Sequence, residues 1–338
     1  MESLWGWVLV PLAVLAGTAW LGGIVLAWLR RRAIFDHPVE RSSHQVPVPR
    51  GGGLAVIPLA LFAWVMLAAE GFAPAGTVGI AGIAGALALL SWQDDRGGLS
   101  VGWRLLAHVV AASAGVCFLP DTPVFQGLLP PLADRVATAL LWVWFLNLYN
   151  FMDGIDAITC VETIALALGI MVVAQLIDVP DDATTMLALV MAAGALGFLR
   201  WNRPPAQIFL GDVGSVPLGF LLGWLLLALA ASGQWAPALI LPLYYLADAT
   251  ITLARRLLRR ERFWQAHRQH YYQRALGTDG DHGAVVRLIA GGNIALIILA
   301  GLAVFWPVPA LTLALIATAI LLAQLGRRAR AQSQPQPL

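Results

Sequence analysis

Four polar side chains that carry oxygen atoms follow one another at intervals of three, directly after an apolar run at residues 136–146. They are Asn147, Asn150, Asp153 and Asp156. A spacing of three places neighbours on adjoining faces of a helical turn, so these side chains are predicted to converge. Amide and carboxylate oxygens suit Mg²⁺ and the phosphate groups that travel with it. A solvated loop with a capping Asp and Asn is the alternative that this stretch leaves open.

Two adjacent carboxylates, Asp94 and Asp95, stand in a second polar stretch at residues 91–99. Adjacent carboxylates repel each other unless a cation or a proton lies between them, so the pair suggests a Mg²⁺ site or a general base. An acid pair that is simply neutralised by Arg96 and Arg104 is the alternative.

A further acid, Asp212, lies between Gly211 and Gly214 immediately before an apolar segment, and so at a predicted helix N-terminus. It is either the N-cap or a metal ligand next to backbone amides that hold a diphosphate. Phe209, one turn upstream, either stacks on a base or is an interfacial aromatic residue.

Glycine and histidine clusters mark two more polar stretches. Residues 51–53 are all glycine, and their bare backbone N–H groups could face an anion, although a turn with flanking positive charges explains them as well. Residues 255–283 interleave arginines with apolar side chains, which predicts an amphipathic helix on a membrane surface. Within this segment His267, Arg268 and His270 suggest a phosphate clamp; a zinc site lacks a third ligand.

The elements that must position these residues are membrane spans. The 338-residue chain is 59% hydrophobic and 12% charged, with a mean hydropathy of +0.76, which excludes an ordinary soluble protein. Apolar runs long enough to cross a bilayer predict an all-α polytopic membrane protein with about eleven spans. They lie near residues 4–29, 52–69, 77–92, 103–119, 135–149, 158–177, 184–200, 214–231, 235–254, 284–305 and 308–325. Asp248 lies inside the ninth span, and Arg255 or Arg256 is its predicted partner.

The distribution of arginine predicts the orientation. The chain has no lysine. Of its 21 arginines, all but Arg135 lie on the same side of the membrane in this predicted topology. The arginine-rich side is therefore cytoplasmic, with the N-terminus periplasmic and the C-terminus cytoplasmic. The polar stretches gather on that side, whereas a transporter would place polar groups near the bilayer midplane. This asymmetry favours an enzyme that joins a cytosolic phosphate compound to a lipid, and binding to nucleic acid is not expected.

With these residues in view, the chain resembles the polyprenyl-phosphate N-acetylhexosamine-1-phosphate transferases of bacteria. Five motifs carry the resemblance, in family order: Pro47-Val48-Pro49-Arg50-Gly51-Gly52, Asp94-Asp95, Asn147-x-x-Asn150-x-x-Asp153-Gly154-x-Asp156, Gly211-Asp212-x-Gly214-Ser215 and His267-Arg268-x-His270. The histidine motif looks most like the branch that initiates O-antigen, a lipopolysaccharide component, from UDP-N-acetylfucosamine or a related sugar. A single transferase domain at residues 1–326 is implied, with cytoplasmic loops at 30–51, 92–103, 147–157, 200–213 and 255–283, and a disordered cytoplasmic tail at 327–338.

The resemblance also implies roles for individual residues. The catalytic residues would be Asp94, Asp95, Asp153 and Asp156. The ligands of Mg²⁺ or Mn²⁺ would be Asp212 and Asp94. The substrates would be bound by Asn147, Asn150, Phe209, Gly211, His267, Arg268, His270, Arg50 and His44.

The expected reaction transfers an N-acetylhexosamine 1-phosphate from a UDP-sugar to undecaprenyl phosphate and releases UMP. The expected location is the bacterial inner membrane. Besides the two substrates, the expected partner is the lipid bilayer, and a homodimer with a second copy of the chain is left open. A UDP-N-acetylglucosamine-specific relative is the alternative within the family, and a membrane transporter is the alternative from another class.

Overall fold

The computed structural model describes residues 5–38, 43, 45–177, 179, 181–261, 267–277 and 280–331, and this part of the chain is mostly helical. A turn of π-helix, Trp5–Leu9, comes before the first α-helix. The α-helices are α1 (Val10–Arg31), α2 (Gly53–Ala69), α3 (Gly76–Gly97), α4 (Val101–Val116), α5 (Pro131–Phe151), α6 (Ile158–Leu176), α7 (Asp182–Asn202), α8 (Asp212–Ala231), α9 (Trp235–Ile240), α10 (Leu243–Leu258), α11 (Tyr271–Arg274), α12 (His282–Ala303) and α13 (Pro307–Ala331).

Seven helices in the described ranges are long and apolar enough to cross a membrane: α1, α3, α6, α7, α8, α12 and α13. Helices α2 and α4 are apolar but shorter. The chain is thus a polytopic helical membrane protein, as its hydropathy predicts. The count of eleven spans and the orientation remain predictions.

Three boundaries differ from the predicted ones. The predicted ninth span, 235–254, is two helices, because α9 ends at Ile240 and α10 begins at Leu243, on either side of Pro242. The predicted tail at 327–338 begins as helix, since α13 continues to Ala331. The predicted surface helix in 255–283 is also wrong as one element: α10 ends at Leu258 and α11 has only four residues, and residues 262–266 lie outside the described ranges.

Helix α8 forms the centre of the bundle. It is apolar on all sides and almost wholly buried, and it packs against α2, α3, α5, α6 and α9. Close approach to α5 depends on small residues: the indole of Trp142 lies where a side chain at Gly223 would have to stand. Trp142 also stacks on Phe220 with ring centroids 4.5 Å apart and donates a hydrogen bond to its carbonyl. These contacts hold the middle of α8 against α5 in the centre of the bundle.

A small sheet joins the segment before α2 to the segment before α8. Strands β1 (Phe35–Asp36) and β2 (Val48–Pro49) pair antiparallel, with Phe35 opposite Pro49. The next residue, Arg50, forms a parallel bridge with Phe209. This pairing brings the arginine of one predicted motif to the acid of another.

Candidate active site

The N-terminus of α8 is capped by a carboxylate from α3. Asp95 accepts hydrogen bonds from the backbone N–H groups of Asp212, at 3.1 Å, and of Val213, at 2.9 Å. Negative charge at a helix N-terminus is stabilised by the exposed N–H groups and the helix dipole. Gly211 has φ +76°, and a Cβ there would lie 2.8 Å from an Asp95 oxygen, so both its conformation and its size require glycine.

The expectation of open backbone amides is wrong at both glycine-rich stretches. The N–H groups of Gly214 and Ser215 donate to the carbonyl of Gly211, so the first turn of α8 has no free donor for a diphosphate. At residues 51–53 the N–H groups donate to the carbonyls of Phe209 and Leu210. These amides hold two loops together, which hydropathy and spacing could not reveal.

Two arginines form ion pairs with three carboxylates, one of which is Asp212. Arg50 Nε lies 2.9 Å from Asp95 Oδ1, and Arg50 Nη2 lies 2.7 Å from Asp212 Oδ1. Arg104 Nη1 lies 2.9 Å from Asp94 Oδ2 and 3.8 Å from Asp212 Oδ2. We call Asp94, Asp95 and Asp212 the carboxylate cluster. The neutralisation predicted for the adjacent acids is therefore split, with Arg104 on Asp94 and Arg50 on Asp95.

The charge of Arg50 is held firmly by this arrangement. Burial by itself would lower the pKa of the guanidinium, but the carboxylates of Asp212, Asp95 and Asp36 more than reverse that effect and raise the pKa above its usual value. Arg50 is therefore a permanent positive charge in contact with Asp212, where it can attract a phosphate.

Helix α5 contributes amides to the same site. Asn150 Nδ2 donates to Asp212 Oδ1 at 3.3 Å and to Ser215 Oγ at 2.8 Å. Asn147 lies one turn earlier and pairs with His108 Nδ1 at 3.0 Å through its Oδ1 atom. His108 stands one helical turn after Arg104 on α4, so α4 and α5 face each other at the site with matched polar positions.

Asp153 follows α5 and is half-buried. Its Oδ1 atom accepts a hydrogen bond from Thr159 Oγ1 at 2.6 Å. Loss of solvent raises the pKa of Asp153 to about 7, with a further upward contribution from Asp212. A carboxyl with a pKa near neutrality can take up and release a proton under physiological conditions.

The structure does not bring Asp156 into the carboxylate cluster. Its Oδ2 atom accepts a hydrogen bond from the N–H of Ala206 at 2.9 Å, and its Oδ1 atom lies 3.1 Å from His282 Nδ1. His282 Nε2 in turn lies 3.1 Å from the carbonyl of Ser43. Asp156 thus ties together the segments before α2, after α5 and after α7.

The predicted histidine clamp is anchored by Asp248. The backbone N–H groups of Tyr271 and Tyr272 donate to Asp248 at 2.9 and 3.2 Å, and His270 Nδ1 lies 3.4 Å from the same carboxylate. The expected Arg255 or Arg256 partner is therefore wrong. The buried carboxylate of Asp248 is hydrogen-bonded instead by backbone N–H groups of α11, which packs back against the bundle.

Contacts of α11 bring the histidine segment to the loop that carries Asp153. Tyr272 donates a hydrogen bond to the carbonyl of Phe151 at 3.2 Å, and its hydroxyl fills the space where Gly154 would carry a Cβ. The rings of His267 and His270 lie 4.9 Å apart. Burial, the neighbouring His270 and Arg256 lower the pKa of His267 to about 4, so His267 is neutral at physiological pH.

The remaining predicted residues are less constrained. Arg268 is exposed, and Phe209 is half-buried, with its backbone in the bridge to Arg50. His44 lies outside the described residues. The sequence did not single out Ser215, His108 or His282 as site residues, nor Arg104 as a contact of Asp212. One sequence signal could have identified two of them: Arg104 and His108 are four residues apart and therefore share a face of α4.

The chemistry of the cluster is compatible with a divalent cation. Within the described ranges no three His, Cys, Asp or Glu side chains gather around one point, so the protein alone does not form a cage. Mg²⁺ is commonly held by one or two carboxylates together with substrate phosphates and water, and this needs fewer protein ligands. Asp212 is 18% exposed, and its Oδ2 atom has Arg104 only at 3.8 Å, which leaves room for such a ligand.

Comparison with known proteins finds a family match for part of the chain. Residues 77–230 match the family described as glycosyl transferase family 4. The matched region is a little under half of the chain. It contains the carboxylate cluster and the asparagines of α5, whereas Arg50 and the histidine segment lie outside it. All of these residues are nevertheless brought to one end of the bundle.

Named relatives of this chain include two decaprenyl-phosphate N-acetylglucosaminephosphotransferases. The Mycolicibacterium smegmatis protein is 31% identical over 243 residues, which cover 63% of this chain and 60% of the relative. The Mycobacterium leprae protein is 28% identical over 322 residues, which cover 83% of this chain and 79% of the relative. A phospho-N-acetylmuramoyl-pentapeptide-transferase of Caulobacter sp. is 28% identical over 234 residues, 58% of this chain and 62% of the relative.

Proposed function

We propose that the protein transfers an N-acetylhexosamine 1-phosphate from a UDP-sugar to a polyprenyl phosphate and releases UMP. The observation that carries the proposal is the pairing of Arg50 and Arg104 with the carboxylate cluster at the N-terminus of α8. The arginines can bind the negative charge of a diphosphate substrate. The neighbouring acids can hold a cation that binds the same diphosphate. The family match of residues 77–230 and the activities named for the relatives support the same reaction.

The acceptor side of the proposal rests on an apolar cavity of about 580 Å³ between α5, α9, α10, the loop at 124–128 and the C-terminal half of α8. Phe145, Gly223 and Leu246 are among its lining residues. Its wall is almost wholly apolar and suits isoprenoid units of a polyprenyl chain. The break between α9 and α10 gives this cavity one of its edges.

In the proposed reaction an oxygen of the polyprenyl phosphate attacks the sugar-linked phosphorus of the donor. A new P–O bond forms, the bond to the second phosphate breaks, and UMP leaves with the bonding electron pair. Arg50 and Arg104 hold the negative charge of the diphosphate, and Asp95 keeps Asp212 in place through the α8 amides. Asp153 receives the proton that the acceptor phosphate gives up. Asp94 is the alternative acceptor of this proton.

A divalent cation, Mg²⁺ or Mn²⁺, would be held by Asp212 and Asp94. When bound, it would neutralise charge on the diphosphate. Asp94 would then exchange part of its contact with Arg104 for the cation, which the exposed position of Arg104 allows.

The donor is argued from two different observations. The pattern around His267 and His270 favours UDP-N-acetylfucosamine or a related 6-deoxy sugar, and with it a role in starting O-antigen. The activity named for the mycobacterial relatives favours UDP-N-acetylglucosamine. The acceptor proposed for the bacterial inner membrane is undecaprenyl phosphate.

Release of radiolabelled UMP by the purified protein tests the proposal. The assay contains undecaprenyl phosphate, Mg²⁺ and one of a panel of UDP-N-acetylhexosamines. We expect lipid-dependent UMP release that Asp212→Asn abolishes and that Asp121→Asn leaves intact, because Asp121 is an exposed acid beyond the C-terminal end of α4 and outside the cluster. No release with any donor would reject the enzyme and return the transporter to consideration; the best donor would decide between the two sugars.

A further inference from the structure

A second cavity lies between α1 and α7, and its lining residues do not include any member of the carboxylate cluster. Its volume is about 530 Å³. Three polar side chains line it at the end of α7 and in the loop that follows, Arg200, Arg203 and Gln207, and all three are exposed. The cavity therefore opens at the end of the bundle that also carries Asp212.

The cavity has a built wall. Trp201 donates a hydrogen bond from its indole Nε1 to the carbonyl of Ala19 at 2.7 Å. Its ring lies against α1 at two glycines, where a Cβ on Gly22 would come within 2.6 Å and one on Gly23 within 3.1 Å. The N–H of Gln207 donates to the carbonyl of Trp201, which folds the loop back over the ring. The shape therefore depends on specific contacts between α1 and the end of α7.

The two ends of the cavity differ in chemistry. Arg200 lies over the ring of Trp201, 5.4 Å from its centroid, and marks the polar end. Leu196, one helical turn earlier on α7, and Leu15, one turn before Ala19 on α1, line the other end. One turn corresponds to about 5 Å of depth along a span. A ligand that fits both ends has a charged head and an apolar tail.

The charges at the polar end call for an anion. Arg50, Arg104, Arg256 and Arg328 each lie within 4 Å of a carboxylate. In the part of the chain that the structure describes, Arg200 and Arg203 take part in no ion pair. Basic pockets between spans on the cytoplasmic side of a membrane are suited to anionic lipid head groups.

We infer that the cavity between α1 and α7 binds an anionic phospholipid, with its phosphate on Arg200 and Arg203 and an acyl chain along Leu15 and Leu196. The loop that carries Arg203 continues to Asp212. Asn202 holds this loop in place: it donates a hydrogen bond to the carbonyl of Ile208 and accepts one from the N–H of Ala157. The lipid site is therefore a neighbour of the active site along the chain and uses different side chains.

The test measures lipid retained by the purified full-length protein. The protein is reconstituted in phosphatidylcholine with a graded fraction of phosphatidylglycerol, and bound lipid is counted by native mass spectrometry. We expect R200Q/R203Q to weaken phosphatidylglycerol retention by at least about tenfold, because each arginine near a membrane surface contributes about a factor of five. R327Q/R330Q is the matched control, since it removes two exposed arginines at the same spacing from the end of α13 and should retain the lipid.

A second variant tests the apolar end without changing charge. L196W places a large ring in the cavity and leaves Arg200 and Arg203 unchanged. It should reduce the amount of phosphatidylglycerol that the protein retains. Equal retention by wild type, R200Q/R203Q and L196W would overturn the inference, and so would equal losses in R200Q/R203Q and R327Q/R330Q. Displacement of the lipid by soluble glycerol phosphate at the same concentration would show a plain phosphate site, and preference for undecaprenyl phosphate would show an acceptor site; either result also overturns it.

Discussion

At the scale of single residues, the two adjacent acids of α3 have different surroundings. The side chain of Asp95 is 1% exposed and accepts hydrogen bonds from Asp212 N, Val213 N and Arg50 Nε. Asp94 is paired with Arg104 and with the N–H of Leu99, closer to solvent. Asp95 therefore supports the start of α8, and Asp94, whose side chain is 8% exposed, is the more accessible of the two acids.

We expect Asp95→Asn to destabilise the protein by roughly 2 kcal/mol, because it weakens buried hydrogen bonds to a charged acceptor and turns an amide N–H₂ toward N–H donors. Asp94→Asn should cost less than half as much. Thermal unfolding of the detergent-purified variants measures the difference. Equal destabilisation by the two substitutions would contradict the division of roles.

The raised pKa of Asp153 predicts a pH-dependent stability. The carboxyl has a pKa of about 7 in the folded protein and about 3.9 when exposed. Between these values the folded state holds the proton that the unfolded state has lost, so the contribution of Asp153 to stability is full below pH 4 and is lost as the pH rises through 7. Asp153→Asn should therefore gain stability relative to wild type between pH 4 and pH 8. Melting temperatures that follow the same pH curve in both proteins would refute this.

At the scale of elements, the site depends on how closely helix ends approach. A Cβ on Gly53, the first residue of α2, would lie 2.3 Å from the backbone of Gly214 in α8. Neither backbone can move without shifting the carboxylate cluster, which includes the neighbouring Asp212. Small residues at this crossing are thus a condition for the geometry of the site.

Gly53→Ala should lower stability by about 1–3 kcal/mol and reduce UMP release, because the added methyl group forces two helix ends apart. Gly82→Ala is the control: Gly82 lies inside α3 with open space around its Cα, and alanine there favours the helix. Thermal unfolding and activity are measured on both. Unchanged behaviour of the first variant would mean that the α2–α8 contact is looser than described.

Some of these elements could be predicted from sequence, and others could not. Apolar runs locate the spans, and the spacing of Asn147, Asn150 and Asp153 predicts that these side chains converge. In the structure Asn150 is the one that contacts Asp212 at the start of α8. Which donor meets which acceptor depends on helix packing, which has no period along the chain. Asp248 shows this: nearby positive charge predicts an arginine partner, whereas backbone N–H groups of α11 satisfy it.

At the scale of the whole molecule, charge and polarity are divided between the ends of the bundle. The carboxylate cluster, the histidine segment and the cavity with Arg200 lie at one end, close to the arginine-rich segments. Apolar helix surfaces face outward between the two ends, as for a protein whose surroundings are lipid. The orientation of this arrangement decides whether its substrates come from the cytosol.

The positive-inside rule predicts that the end with the cluster is cytoplasmic. In a Cys117→Ser background, with Cys160 buried, D121C should react with a membrane-impermeant maleimide in intact spheroplasts, because Asp121 is exposed beyond the opposite end of α4. R330C, at the end of α13, should react only after the membrane is permeabilised. The reverse pattern would place the cluster outside the cell, where UDP-sugars are absent, and would thereby exclude the proposed transfer as well as the predicted orientation.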